Sequence, residues 1–264
     1  MRVATWNINS LSARLERVEA WIAECEPDVL CLQETKLADD AFPALTFSAL
    51  GYESVHHGQG RWNGVAILSR VGLDAPAVGF SPDDVVLRDE ARIVSATCAG
   101  VRVASVYVPN GRSPEHEQYA FKLEWLAALR AHLAAACDPA HAIVVCGDFN
   151  IAPEDRDVYD PAKFVGSTHV TPAERAALAE LVDWGLVDVF RLHHDEDRLY
   201  SWWDYRAGDF HEHRGLRIDL VLASRTLADR ARWSLVDRNA RKGKPTPSDH
   251  APLVVEFDTE AVNS

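Results

Sequence analysis

The sequence lacks the features that mark membrane or secreted proteins. No apolar run reaches the ~18 residues that suggest a transmembrane helix. The opening residues, MRVATWNINS, contain no apolar stretch of signal-peptide length and pass directly into a strand pattern. We therefore expect the mature protein to start at this methionine, to be cytoplasmic and to have no membrane partner.

Cysteine is scarce and follows no recognisable pattern. The chain has five cysteines, Cys25, Cys31, Cys98, Cys137 and Cys146, with no Cys-x-x-Cys spacing. An odd number at these spacings supports neither a disulfide framework nor a zinc site. Two of them, Cys31 and Cys146, lie inside apolar runs, so we interpret them as small buried hydrophobic residues.

Two common catalytic signatures are missing. No serine lies in a Gly-x-Ser-x-Gly elbow, and no Gly-x-x-x-x-Gly-Lys-[Ser/Thr] loop is present to cradle a nucleotide. Linkers rich in Gly/Ser or Pro and fixed-period repeats are also missing. We predict a single domain over residues 1–264, with an ordered core of about 2–257.

Positive charge is in short supply. Lys and Arg number 27 against 40 Asp and Glu, which gives a net charge of −13. This acidity argues against a nucleic-acid partner, but screening limits the reach of a charge to about 8 Å at physiological salt, so local clusters matter more. Each cluster is either a solvated loop or a phosphate-binding surface. The clusters are Arg214 and Arg217 in RGLR, and Arg238, Arg241, Lys242 and Lys244 in RNARKGK.

Strand-like and helix-like patterns both occur along the chain. The segment LSARLERVEAWIAEC has apolar residues at helical spacing, with Ser10 or Ser12 as its cap. A second helix is predicted from Ser113–Pro114 to Ala136, and the capping box Thr171–Glu174 opens a third. Eight segments predict strands: RVATWNI, DVLCLQE, NGVAILS, ARIVSATC, VRVASVYV, AIVVC, RIDLVLAS and PLVVEFD. Some of these strands follow one another in pairs, and others alternate with helices. This order favours packed sheets with helices outside.

Polar residues of a restricted kind lie at the ends of several buried strands. A single such ending is best explained as a turn. Six in one chain indicate that they converge on one cleft, because ligand sites in α/β proteins form at sheet ends. The residues are Asn7 and Asn9 in TWNIN, Gln33 and Glu34 in LCLQET, Tyr107 and Asn110 in VYVPNG, Asp148 and Asn150 in CGDFN, Asp219 in RIDLV, and Ser248, Asp249 and His250 in PSDHAP.

The side chains at these strand ends narrow the chemistry. Carboxylate and carboxamide oxygens without cysteine suit Mg²⁺ or Mn²⁺. Glu34 is the best single candidate ligand, with Asn7 and Asp249 near it. Asp219 and His250 indicate a carboxylate that orients an imidazole. Attack of water on a phosphate ester beside a metal fits these residues best.

The chain resembles the exodeoxyribonuclease III family, the abasic-site endonuclease branch of the endonuclease/exonuclease/phosphatase superfamily. The resemblance runs from residue 2 to residue 257 and rests on TWNIN, LCLQETK, NGVAILSR, YVPNG, GDFN, SWWDYR, RGLRIDLVLAS and PSDHAPLVV. QET, GDFN and SDH mark only the superfamily, whereas SWWDYR and RGLRIDL point to the DNA-repair branch. The resemblance implies a four-layer α/β sandwich, with two mixed β-sheets packed face to face and helices outside.

The resemblance also implies roles for individual residues. Glu34 is similar to the principal metal ligand, and Asn7 and Asp249 to positions that help form the metal site. Asn9 stands where some relatives carry an aspartate linked to a second metal, which argues against a two-metal site. The catalytic roles implied are Asp148 to activate water or protonate the leaving oxygen, Asn150 to orient Asp148 and the phosphate, Tyr107 to contact the phosphate, His250 to polarise it, and Asp219 to pair with His250.

A DNA-binding surface is implied in the same way. Trp202 lies in the segment that lines the family's abasic pocket, and Leu216 stands where some relatives place a tryptophan on the pocket wall. The full set of DNA-binding residues implied is Trp202, Leu216, Asn110, Arg112, Arg217, Arg241, Lys242 and Lys244.

The function implied is that of a metal-dependent DNA-repair nuclease. Such an enzyme hydrolyses phosphodiesters 5′ to abasic sites and trims DNA 3′ ends, as a 3′→5′ exonuclease and a 3′-phosphatase. Its cofactor is Mg²⁺, with Mn²⁺ as a substitute, and its partner is double-stranded DNA with abasic sites or blocked 3′ ends, bound by a monomer. A superfamily phosphatase that acts on a small or lipid phosphate ester is the alternative, although the acidic chain without an anchor helix fits a lipid surface poorly. A non-catalytic nucleic-acid-binding relative is a second alternative, but none of the catalytic candidates is missing.

Overall fold

The computed structural model describes residues 1–80 and 90–258 of the chain. Within these residues, twelve strands form two six-stranded sheets. The strands are β1 (Arg2–Asn7), β2 (Val29–Gln33), β3 (Glu53–Gln59), β4 (Trp62–Ser69), β5 (Asp74–Val78), β6 (Ile93–Cys98), β7 (Val101–Tyr107), β8 (Ile143–Asp148), β9 (Leu186–Asp188), β10 (Asp219–Ser224), β11 (Ala231–Val236) and β12 (Leu253–Phe257).

Helices connect these strands. In the described part of the chain they are α1 (Leu11–Cys25), α2 (Ala44–Ala49), α3 (Glu117–Ala136), α4 (Pro161–Phe164), α5 (Pro172–Asp183), α6 (Phe190–His193) and α7 (Arg225–Ala228). None of the helices in residues 1–80 and 90–258 combines the length and apolar character needed to span a bilayer.

Both sheets are mixed and have a parallel pair near the centre. The first sheet has the order β11-β12-β1-β2-β4-β3, and the second has the order β5-β6-β7-β8-β10-β9. β1 is parallel to β2, with Asn7 beside Gln33, and β7 is parallel to β8, with Tyr107 beside Asp148. Antiparallel β10 places Asp219 opposite Asp148. The strand ends that carry the predicted site residues therefore lie side by side in the middle of each sheet.

Among the described residues, the three largest apolar clusters hold the four layers together. Between the sheets, Cys31 of β2 and Cys146 of β8 belong to one buried cluster, as the sequence predicts for these cysteines. Trp21 of α1 and Phe47 of α2 belong to a cluster that covers the first sheet. Helices α3 and α5 cover the second sheet, with Trp125 fully buried. The predicted four-layer α/β sandwich is confirmed.

The start of α1 is tied to the loop that follows β2. Ser10 occupies the N-cap position, but its side chain makes no capping hydrogen bond. Instead, the backbone N–H groups of Ser10 and Leu11 donate to the carbonyls of Glu34 (2.7 Å) and Thr35 (2.9 Å). The expected serine cap is therefore replaced by a contact with a loop of the predicted site.

One predicted helix start is wrong, and one is confirmed. Helix α3 begins at Glu117 rather than at Ser113–Pro114, because residues 113–116 form a turn and the ring of His116 accepts from the N–H of Gln118 at 3.1 Å. In α5, the Thr171 hydroxyl accepts from the Glu174 N–H and the Glu174 carboxylate accepts from the Thr171 N–H, which is the predicted capping box.

Candidate active site

A cleft of about 160 Å³ opens where the ends of the central strands meet. The cleft contains most of the polar residues that the sequence predicts for the site. Its lining is Glu34, Tyr107, Asn110, Asp148, Asn150, His169, Trp202, Ile218, Asp249 and His250.

Glu34 and Asn150 occupy an uncommon backbone conformation. Both have a φ of 51°, in the left-handed region that non-glycine residues rarely adopt. Hydrogen bonds of the two following residues fix the backbone at Glu34. The N–H groups of Thr35 and Lys36 donate to the carbonyls of Gly64 (3.1 Å) and Asn63 (2.9 Å). Such conformations concentrate at functional sites, where the surrounding structure determines them.

Asn7 joins the two carboxylates of the cleft. Its Nδ2 donates to Glu34 Oε1 at 2.8 Å and to Asp148 Oδ2 at 2.9 Å, while its Oδ1 accepts from the N–H of Asn9 at 3.0 Å. The amide oxygen therefore faces the backbone and not the cleft. Asn7, which the resemblance places among the residues that help form the metal site, orients Glu34 and Asp148 in this arrangement.

Asp148 is buried and has a strongly shifted acidity. Burial raises the pKa of its carboxyl to about 7, with Asp219 and Glu34 acting in the same direction and His250 and Asn7 opposing them. Asn150 donates its backbone N–H to Asp148 Oδ1 at 2.9 Å. A carboxyl with a pKa near neutrality can exchange a proton in either direction at physiological pH.

His250 pairs with Asp219 behind the cleft. Its Nδ1 lies 2.9 Å from Asp219 Oδ2, and its Nε2 lies 3.8 Å from Asp148 Oδ2. Burial alone would lower the pKa of the imidazole, but Asp219 and Asp148 outweigh it and raise the pKa of His250 to about 10. His250 is thus an imidazolium at neutral pH, with both nitrogens as donors.

Asp249 is held by two neighbours at the rim of the cleft. Asn9 Nδ2 donates to Asp249 Oδ1 and Trp202 Nε1 donates to Asp249 Oδ2, each at 3.0 Å. Although burial acts to raise the pKa of Asp249, the His250 charge and these donors lower it overall.

Lys36 Nζ lies 2.9 Å from Glu34 Oε2 and donates to Asn9 Oδ1 at 2.6 Å. The sequence analysis did not predict Lys36 as a site residue, although its position directly after the QET motif indicates that it lies close to Glu34.

Tyr107 and Asn110 complete the side formed by the second sheet. Burial, together with the Glu34 carboxylate, holds the pKa of the Tyr107 hydroxyl well above its usual range. Asn110 Nδ2 donates to Asn150 Oδ1 at 3.1 Å, and Asn150 Nδ2 donates to the Val108 carbonyl at 3.0 Å. These contacts fix the orientation of the Asn150 carboxamide.

The donor set of the cleft suits a hard cation. Glu34, Asp148 and His250 each offer one atom within 4.8 Å of the others. His250 offers a nitrogen rather than an oxygen, and its Nδ1 already pairs with Asp219. The carboxylate oxygens of Glu34 and Asp148 remain, and oxygen donors without sulfur match Mg²⁺ or Mn²⁺.

His169 and Ile218 line the cleft although the sequence singles out neither. His169 lies in a loop before α5, where no motif marks it, and its Nδ1 is 2.6 Å from the Asn150 carbonyl oxygen. Burial and the Lys122 ammonium lower the pKa of His169 to about 4, so this ring is neutral at physiological pH. Ile218 takes the place on the wall that the sequence assigns to Leu216.

Leu216 and Trp202 lie side by side, but only Trp202 reaches the cleft. The two backbones exchange hydrogen bonds of 2.9 Å, and the Leu216 side chain packs into a small apolar cluster with Val158 and Ile218. Leu216 is fully buried. The assignment of Leu216 to DNA contact is therefore wrong.

Two of the predicted DNA-binding arginines are also buried. Arg217 is 0% exposed and pairs with Asp157 at 2.6 Å and Asp188 at 2.8 Å. Arg241 donates to the carbonyls of Ser248 and Trp203. Because the Arg217 guanidinium is enclosed with two carboxylates, it is not available to a phosphate, and this assignment is wrong. Arg241 lines a surface pocket beside Lys242 and stays a candidate for DNA contact.

The remaining predicted DNA contacts are accessible. Asn110 and Arg112 are exposed in the loop after β7, and Lys242 and Lys244 are exposed in the loop before Ser248. Trp202 is half-buried in the cleft. These residues stay candidates for DNA contact.

The geometry has close counterparts among known proteins. Residues 4–250 match the model of the Endonuclease/Exonuclease/phosphatase family. The chain belongs to this family. Among its relatives, exodeoxyribonuclease III of Haemophilus influenzae is 36% identical over 269 residues, which cover 97% of this chain and 100% of the relative.

Solved structures of this family share the whole architecture. An AP endonuclease from Archaeoglobus fulgidus has a TM-score of 0.94 and 38% identity, covering 98% of this chain and 100% of its own. The 3′ phosphatase NExo from Neisseria, bound to a product DNA hairpin, has a TM-score of 0.92 and 40% identity, with the same coverage. Because these matches cover nearly the whole chain, both sheets of the fold are shared with these structures.

Proposed function

We propose that this DNA-repair nuclease hydrolyses phosphodiester bonds on the 5′ side of abasic sites and trims DNA 3′ ends from the same cleft, as a 3′→5′ exonuclease and a 3′-phosphatase. The observation that carries the proposal is the convergence of Glu34, Asp148 and the His250–Asp219 pair in one cleft. The names of the relatives agree with it, since they include an exodeoxyribonuclease III, an AP endonuclease and a 3′ phosphatase.

Each residue has a distinct part in this reaction. The imidazolium of His250 donates to a phosphate oxygen and stabilises the charge that develops on it, an effect typically worth about 10²–10³ in rate for one donor. Asp148 exchanges a proton with the attacking water or the leaving oxygen, since the pKa of its carboxyl is about 7. Tyr107 remains a neutral donor because its pKa is raised.

We further propose that Glu34 holds the metal, with Asp148 and Asp249 near it. A bound Mg²⁺ supplies polarisation of the phosphate oxygen. We expect Glu34→Gln to weaken Mn²⁺ binding, measured by isothermal titration calorimetry on the folded variant, and to abolish most activity. Full activity of the parent chain in excess EDTA would contradict the metal requirement.

Three DNA substrates and one small molecule test the proposed function. The DNA substrates are an abasic duplex, a nick with a 3′-phosphate and a blunt duplex, and the fourth substrate is an inositol phosphate. Hydrolysis of the DNA substrates with the inositol phosphate left intact supports a DNA-repair nuclease. The reverse preference would favour a superfamily phosphatase, and binding without hydrolysis would favour a non-catalytic relative.

A further inference from the structure

A buried ion pair lies directly behind the cleft. Lys122, on the inner face of α3, and Glu174, in the first turn of α5, are both 0% exposed, and Lys122 Nζ lies 2.5 Å from Glu174 Oε1. Lysine and glutamate are almost never fully buried unless they are paired. This pair joins two helices that also pack through apolar residues.

The pair also bonds to segments that line the cleft. Lys122 Nζ donates to the carbonyl oxygens of Asn150 at 2.7 Å and Asn110 at 3.3 Å. Glu174 Oε1 accepts from the Thr168 hydroxyl at 2.7 Å and from the His169 N–H at 2.9 Å. Three separate segments of the chain that line the cleft therefore converge on one buried ion pair.

Asn150 depends on this contact for its backbone conformation. Its backbone is in the left-handed region, and such a conformation persists only where surrounding bonds determine it. Two groups donate to the Asn150 carbonyl oxygen, Lys122 Nζ and His169 Nδ1. The N–H of the same residue donates to Asp148, so a shift of Asn150 would move the carboxylate that handles the proton.

Stability alone does not account for the pair. Replacing a buried ion pair with neutral side chains of similar volume is often neutral or stabilising, because burial of two charges has a large desolvation cost. The packing of α3 on α5 could thus be kept without charges, whereas the bonds to Asn150 and Asn110 could not.

We propose that Lys122, held in place by Glu174, is a positioning residue of the nuclease: it fixes Asn150 and, through Asn150, the Asp148 carboxylate. The proposal rests on the proposed function. It predicts a defect in the chemical step that remains after the stability of the fold has been restored.

The variant Lys122→Met/Glu174→Gln tests this role. Methionine and glutamine keep the volumes, leave no uncompensated charge, and allow position 174 to cap α5. We expect a melting temperature close to that of the parent chain, a kcat on a 3′-phosphate nick at least tenfold lower, and a KM within about threefold of the parent. A folded double variant with parental kcat would overturn the proposal.

Arg130→Met is the matched control. Arg130 also lies on α3 and joins it to α5, through a hydrogen bond of 3.2 Å to the Glu180 carbonyl, but it contacts none of the residues that line the cleft. We expect this variant to keep the parental kcat. An equal loss in Arg130→Met would show that any weakening between the helices lowers activity, which would also overturn the proposal.

A measurement on the parent chain keeps the proposal testable if the double variant does not fold. Labelling the seven asparagines with ¹⁵N makes the Asn150 amide observable among few signals. The proposal requires this amide to exchange with solvent as slowly as the core amides of α3, and loop-like exchange would overturn it. A parent chain that fails on all DNA substrates would instead show that the proposed function is wrong.

Discussion

Asp148 gives the most direct test at the scale of a single residue. Asp148→Asn keeps the shape of the side chain and an acceptor for the Asn150 N–H, but it removes the group that exchanges a proton. We expect kcat to fall by about 10²–10⁴ with the fold unchanged. Single-turnover rates on a 3′-phosphate nick measure the loss, and circular dichroism checks the fold. A rate near that of the parent would remove Asp148 from the mechanism.

The His250–Asp219 pair predicts how stability changes with pH. The pKa of His250 is about 10 in the folded chain, where Asp219 and Asp148 overcome the effect of burial, and about 6.5 in an unfolded chain. Protonation therefore favours the folded state: the contribution is complete below pH 6.5 and is lost as the pH rises through about 10. With EDTA present to keep the site free of metal, we expect the melting temperature to fall as the pH rises from 6.5 to about 10.

His250→Gln is the control for this dependence, because glutamine cannot gain a proton. Its melting temperature should lie below that of the parent at pH 6 and approach it as the pH rises through 10. A constant difference between the two proteins from pH 6 to pH 10 would mean that His250 is not protonated in the folded chain.

At the scale of elements, the loop before Ser248 is the candidate DNA-binding surface. Lys242 and Lys244 are exposed there. Each phosphate contact contributes about −0.9 to the log–log slope of affinity against salt. We therefore expect Lys242→Gln/Lys244→Gln to flatten the slope by close to two units, measured by fluorescence anisotropy with duplex DNA.

Arg225 supplies the matched control for this measurement. It is exposed and follows Ser224, at the end of β10 opposite to Asp219 and the cleft. Arg225→Gln should leave the slope unchanged. If the lysine variant also leaves it unchanged, DNA approaches another face of the protein.

The accuracy of the sequence-based prediction also differs between elements. The eight predicted strands correspond to eight of the twelve described strands, and the four that were missed are β3, β5, β9 and β11. All four lie at the edges of the two sheets. A strand in the sheet centre is covered on both faces and has a continuous apolar pattern, whereas every residue of the edge strand β5 is exposed. Local patterns therefore predicted the sheet centres, and the edges required the tertiary fold.

At the scale of the whole molecule, the same contrast applies to the site. Residues at the ends of the central strands, such as Glu34, Asp148 and His250, were predictable because each end carries an uncommon polar residue. Arg217 was misassigned because its partners Asp157 and Asp188 are distant in sequence. An arginine that forms a buried ion pair looks in the sequence like one that is free to bind a phosphate. Only the tertiary contacts show which group the arginine pairs with.

Substrate selectivity depends on how the whole cleft accepts a nucleotide. An abasic nucleotide has no base to unstack, so it leaves the helix at lower cost than an intact one. Trp202 lines the cleft. On the proposed function, we expect a sugar turned out of a duplex to contact this ring more than a 3′-phosphate does. We expect Trp202→Ala to reduce abasic incision about tenfold or more beyond its effect on 3′-phosphate removal, since an aromatic contact of this type is worth about 1–3 kcal/mol.

Trp202→Phe separates the ring from its hydrogen bond. Phenylalanine keeps an aromatic surface but cannot donate to Asp249, as Trp202 Nε1 does at 3.0 Å. If the ring recognises the abasic sugar, Trp202→Phe retains most of the preference for abasic DNA that Trp202→Ala loses. If both variants lose the two activities equally, Trp202 acts by holding Asp249, and recognition of the abasic site lies elsewhere in the cleft.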